Sequence, residues 1–185
     1  TTLVRGMALD AAVMECYTIV ERGGQSGLLT LNLLTRNLHK QMLPGPPLQG
    51  IGFYRGYTLI GYRLNDGQTD VVSINMQTGA VELLSTLAET AWRPLGFAVT
   101  PMQPRYPSVY PGNERAVLLS QSGTLTSMDL RSGTVSQIPL EQGAALFGID
   151  IYTDATLIGV RTLLGQYELV EIDFASGSVA ALADL

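Results

Sequence analysis

The chain has 185 residues, 46% of them hydrophobic and only 15% charged, with 20 glycines and a formal net charge of −5. That length and apolar share suit one compact body with a sizeable core, and the glycine count suits many short strands joined by tight turns. A sole lysine at Lys40, arginines scattered from Arg5 to Arg161 and the acidic balance argue against nucleic-acid and anionic-membrane partners, which need clustered positive charge.

No apolar stretch approaches the roughly 18–20 residues of a membrane-spanning helix, so membrane insertion is not expected. Cys16 stands alone, which rules out an intrachain disulfide and speaks against a cysteine-based zinc site. Its sequence position predicts a small buried hydrophobe on a strand.

In chain order, a glycine framed by apolar residues opens each of four units: Val4-Arg5-Gly6-Met7, Leu48-Gln49-Gly50-Ile51, Pro94-Leu95-Gly96-Phe97 and Leu146-Phe147-Gly148-Ile149. A second apolar run follows in each, beginning near Cys16, Thr58, Ala116 and Thr156; Thr58-Leu59-Ile60-Gly61-Tyr62-Arg63 and Thr156-Leu157-Ile158-Gly159-Val160-Arg161 differ at one position. Each unit then reaches a turn motif that reads apolar, Asn/Asp, apolar, any, Thr/Ser, usually Gly. Its copies start at Leu31-Asn32, Ile74-Asn75, Met128-Asp129 and Ile172-Asp173.

The Asn/Asp positions recur at 32, 75, 129 and 173, a period of the size that marks repeat architectures. The second unit displays its strands best, at 50–54, 57–64, 69–76 and 80–87, with alternation along Val71 to Met76 and turn chemistry at Arg55-Gly56, Asn65-Asp66-Gly67 and Thr78-Gly79. Where the first unit reads Thr35-Arg36-Asn37, Asn37 is expected to take the left-handed conformation. Residues 7–20 and 28–42, taken alone, also fit a helix; the matching register in the other units predicts strands instead.

Four antiparallel four-stranded units in series predict an all-β fold, a β-propeller of four blades at about 1–47, 48–93, 94–143 and 144–185 in a single domain. The Gly-Ile-Asp, Leu-Ile-Gly and Glu-Ile-Asp-Phe-Ala-Ser-Gly segments of the last unit resemble the non-WD40 blades of YVTN/PQQ-like propellers, which implies the same blade topology. The Trp-Asp dipeptide of WD40 repeats is absent, and Trp92, the only tryptophan, lies outside the turn motif, which speaks against quinone chemistry. Three closures stay open: four blades alone, half of a dimeric eight-bladed ring, or part of a larger propeller.

The third unit is longer than the others, and the extra length falls at 100–115, where four prolines accompany Arg105, Tyr106 and Tyr110. Arg and Tyr are favoured at recognition hot spots, so these three are candidate binding residues. Trp92 and Arg93, in a connection between blades, are further candidates for anchoring a partner, set against packing between blades.

No catalytic constellation emerges. His39 lacks companions at ligand spacing, the serines lack a nucleophile elbow, and the Gly23-Gly24-Gln25-Ser26-Gly27 stretch lacks the lysine and helix of a phosphate loop. No metal or cofactor is expected, and the repeated Asn/Asp residues read as turn formers. The leading expectation is a non-catalytic binding module for a protein or glycan partner, with homo-oligomer formation open. The alternatives are a structural subunit of a surface or filament assembly, and a hydrolase or lyase using inner-strand groups such as Arg5, Asp10 and Asp150. The low lysine content and the start at Thr1 fit an extracellular, cell-surface or periplasmic protein, or a piece of something longer.

Overall fold

Every described element is a strand. The computed structural model describes residues 2–10, 13–55, 57–87, 96–99, 114–120, 123–141, 146–151 and 156–184. The strands form four four-stranded antiparallel sheets in simple sequence order, the blades of a β-propeller. Blade 1 holds β1 (Thr2–Asp10), β2 (Glu15–Arg22), β3 (Gln25–Asn32) and β4 (Leu38–Met42); blade 2 holds β5 (Leu48–Arg55), β6 (Thr58–Asn65), β7 (Gln68–Asn75) and β8 (Val81–Leu87). Blade 3 holds β9 (Gly96–Val99), β10 (Arg115–Leu119), β11 (Thr124–Asp129) and β12 (Val135–Pro139); blade 4 holds β13 (Leu146–Ile151), β14 (Thr156–Leu163), β15 (Gln166–Asp173) and β16 (Val179–Asp184). Residues 7–10 and 15–20 of the first helix-ambiguous stretch, and 28–32 and 38–42 of the second, are strand.

The repeat fixes a common register. The Asn/Asp of each turn pairs with the first residue of the second strand: Asn32 with Glu15, Asn75 with Thr58, Asp129 with Arg115 and Asp173 with Thr156. One residue earlier, Leu31 faces Cys16, Ile74 faces Leu59, Met128 faces Ala116 and Ile172 faces Leu157. A one-residue slip would carry the apolar set to the opposite face of the sheet, so the buried faces hold this register.

The chain divides into two compact units, 1–91 and 92–185, each holding two blades packed face to face. In the first, Ala8, Tyr17, Ile19 and Leu28 of blade 1 meet Ile51, Leu59, Val72 and Ile74 of blade 2. In the second, Val117, Leu119 and Leu125 of blade 3 meet Ile149, Leu157, Val170 and Ile172 of blade 4. The glycine of the Leu-Ile-Gly motif has a packing cause. A Cβ on Gly61 would stand 3.1 Å from the Gly50 carbonyl and from Ile74 Cδ1, and one on Gly159 would stand 3.3 Å from the Gly148 carbonyl and from Ile172 Cδ1.

The second unit repeats another detail of the first. The turn glycine of the later blade sits on the outer strand of the earlier one, Gly79 against the Gln41 side chain and Gly177 against the Pro139 carbonyl.

Candidate functional site

Each Asn/Asp of the repeat builds an Asx turn. Asn32 Oδ1 accepts from the backbone N–H of Leu34 and Thr35, and Asn75 Oδ1 from those of Gln77 and Thr78. Asp129 Oδ1 accepts from Arg131 N–H, Ser132 N–H and Ser132 Oγ–H, and Asp173 Oδ1 from Ala175 N–H, Ser176 N–H and Ser176 Oγ–H. These bonds stabilise the ionised form. Led by the Ser132 backbone N–H, they hold Asp129 below its ordinary value; at Asp173 the Ser176 hydroxyl leads. The repeated Asn and Asp residues are turn formers, as the sequence implied.

The left-handed position in the turn differs from the expectation for the first unit. Arg36, not Asn37, takes φ of 60°, because Arg36 occupies the place of Gly79, Gly133 and Gly177. Register, rather than the residue best suited to the conformation, decides which one adopts it.

A second set of bonds stitches these turns to the connection between the first and second strands. Leu33 N–H donates to the Met14 carbonyl, Met76 N–H to the Tyr57 carbonyl and Leu130 N–H to the Glu114 carbonyl, at 2.8, 2.8 and 2.7 Å. The end of the sheet that carries both connections is therefore preformed in blades 1, 2 and 3.

In the first unit that end carries exposed apolar side chains among exposed polar turn residues such as Thr35, Arg36, Gln77 and Thr78. Val13, Met14, Leu33, Leu34 and Tyr57 are all exposed there. Beneath them, the buried Tyr17 hydroxyl donates to Glu15 Oε2 at 2.6 Å. Burial, then Glu15, then Asp10 and Tyr57 push the Tyr17 phenol far above its ordinary value, so it stays protonated at neutral pH and serves as a donor rather than a base. At the matching end of the second unit, Arg131 Nη2 donates to Glu114 at 3.1 Å, and the Arg115 guanidinium lies over the Phe174 ring.

Arg105, Tyr106, Tyr110, Trp92 and Arg93, the binding residues expected from sequence, all lie outside the described residues. Of the inner-strand groups, Arg5 is engaged with Glu21 at 2.8 Å, and Asp150 is exposed and accepts from its neighbour Ile151 N–H. His39 is exposed on β4. Among the described residues no group of three His, Cys, Asp or Glu is placed to hold a metal ion, and no helix is long and apolar enough to cross a membrane.

Sequence reasoning missed the apolar rim, yet the repeat carried a sign of it. After the motif's second apolar residue, Leu34 stands where the other units have Gln77, Arg131 and Ala175.

Neither a family model nor a curated protein sequence matches this chain. Solved structures do. The whole chain aligns with 44% of TolB from Acinetobacter baumannii, at a TM-score of 0.67 and 14% identity. It aligns over 98% of its length with 55% of a protein from Lactobacillus plantarum, at 0.55 and 15%, and over its whole length with 80% of a chain of a nidogen/laminin complex, at 0.51 and 10%. At these identities the likeness shows the fold, that of a β-propeller repeat protein. The chain spans about half the length of the TolB and L. plantarum proteins.

Proposed function

We propose that this chain is a non-catalytic binding module that presents the turn-bearing end of its first two blades to a protein partner. The observation that carries the reading is the exposed set Val13, Met14, Leu33, Leu34 and Tyr57 on connections already locked by backbone bonds. Apolar and aromatic side chains on rigid loops bind with little ordering cost, which favours recognition over chemistry. A propeller of similar fold occurs in a nidogen/laminin complex, a precedent for protein recognition by such a scaffold. The Asx-Thr/Ser-Gly turn supports a YVTN/PQQ-like blade type. The single lysine and the Ser, Thr, Gln and Gly content support an extracellular or periplasmic setting.

Pull-down with the immobilised chain, followed by solution titration of any protein captured, tests the reading. Leu34→Asp and Tyr57→Ala are expected each to weaken binding at least about tenfold with the unfolding midpoint unchanged, as for hot-spot residues. Tyr106→Ala and Tyr110→Ala form a second arm for the long connection of the third unit. Binding unaffected by Leu34→Asp and Tyr57→Ala, whatever the second arm does, or measurable turnover of a substrate, would refute it.

A further inference from the structure

Each blade has two faces, and the common register makes them comparable residue by residue. The face of blade 2 that packs on blade 1 is built from Ile51, Leu59, Val72 and Ile74; the corresponding residues of blade 4, packed on blade 3, are Ile149, Leu157, Val170 and Ile172. Pairing places their counterparts in blade 1 at Met7, Cys16, Leu29 and Leu31, with Leu9 beside Cys16 and Leu38 beside Leu31. The apolar pattern is kept, but the cover is missing. Met7, Leu9 and Leu38 are 69%, 56% and 64% exposed, whereas Ile51 is 5% and Leu59, Val72 and Ile74 are 0%. Contiguous exposed apolar surface of this kind marks an interaction site.

Blade 4 carries the complementary kind of face. Its side turned away from blade 3 presents Ile158, Val160 and Leu169, all only partly buried. They correspond by register to Ile60, Tyr62 and Val71 of blade 2, which are buried. Charge matches as well. Lys40 lies on the open face of blade 1 opposite Leu29, its stem over Gly27, while Asp150 and Glu171 lie on the open face of blade 4, both opposite Ile158.

We infer that the open face of blade 1 is covered by the open face of blade 4 of a second copy of this chain. The contact reproduces between molecules the blade-on-blade packing found twice within the chain. It is head-to-tail, and in a closed pair each copy's blade 4 would cover the other's blade 1. It gives physical content to the two-chain alternative raised by the sequence.

Sedimentation of the 185-residue chain over about a hundredfold range of concentration tests the inference, because self-association depends on protomer concentration. The expected mass is twice 19.9 kDa. Cys16, the sole thiol, lies on the buried side of the contact, so its labelling by a maleimide is expected to slow as the dimer fills. Met7→Asp and Val160→Asp are each expected to return the mass to one chain and restore fast labelling, with the circular-dichroism spectrum unchanged. Leu164→Asp, at a fully solvated turn position, is expected to leave the dimer intact. Met7 is exposed, so its substitution reads association rather than folding. A single-chain mass at every concentration would overturn the inference; a doubled mass that survives both Asp substitutions would overturn it too.

Discussion

The two turns of the second unit offer a controlled comparison for the idea that turns lock blades together. Gly133 and Gly177 occupy the same turn position, at φ of 72° and 70°, each beside an Asp whose carboxylate accepts the same three bonds. An alanine at either pays the left-handed penalty of about 1–2 kcal/mol. Beyond that the sites part. A Cβ on Gly133 meets nothing within 4 Å, whereas one on Gly177 runs into the Pro139 backbone carbonyl and stands 3.2 Å from Ile138 Cγ2. Backbone cannot rotate away, so Gly177→Ala adds an overpacking cost of about 1–3 kcal/mol and strains the Glu141 N–H to Gly177 carbonyl bond. Gly133→Ala is expected to lower the unfolding free energy by about 1–2 kcal/mol and Gly177→Ala by about 2–5 kcal/mol, read by urea titration with linear extrapolation. Equal costs within about 0.5 kcal/mol would refute the claim that Gly177 is seated on blade 3.

Because Asp129 and Asp173 titrate below their ordinary 3.8 in the folded state, the stabilisation they give is present above that value. It is lost as pH falls through the depressed values. Stability is therefore expected to drop between about pH 5 and pH 2, and the Asp129→Asn, Asp173→Asn double variant to flatten that slope, since Asn32 and Asn75 already make the same turn. Arg63 and Asp70 pair at 3.3 Å with side-chain exposures of 15% and 5%. Arg63→Met is expected to cost about 3 kcal/mol by urea titration, because the buried Asp70 carboxylate loses its cation and keeps only the neutral donors Asn65 Nδ2 and Thr86 Oγ1. Leu157→Ala, at a fully buried position, is expected to cost about 2–5 kcal/mol, and Leu164→Ala, at a solvated one, less than about 0.5 kcal/mol, by thermal melting.

The architecture was legible because one short chemical device recurs. An Asx side chain that bonds two backbone N–H groups marks the end of the third strand in every unit, and counting back from Asn32, Asn75, Asp129 and Asp173 places its partner strand. Strand ends in the second unit fell within two residues of those observed, at 48–55, 58–65, 68–75 and 81–87. Asn37 has the residue preference for the left-handed position, but register gives that position to Arg36.

The candidate site was less legible for a physical reason. An apolar residue such as Leu34 or Met7 has the composition of core, and only neighbouring elements decide whether it is covered. The open face of blade 1 is the sharper case, for Met7, Leu29 and Leu31 follow the same pattern as the fully covered Val72 and Ile74. Cys16, expected to be buried, is only partly buried on that face for the same cause. The residues first expected to bind, Arg105, Tyr106, Tyr110, Trp92 and Arg93, lie outside the described residues.

Backbone NMR would test most directly whether one register governs all four sheets. Cross-strand contacts are predicted between Cys16 and Leu31, Leu59 and Ile74, Ala116 and Met128, and Leu157 and Ile172, each one residue from an Asx turn. Sequential amide–amide contacts running along 7–20 or 28–42, with those cross-strand signals missing, would contradict it.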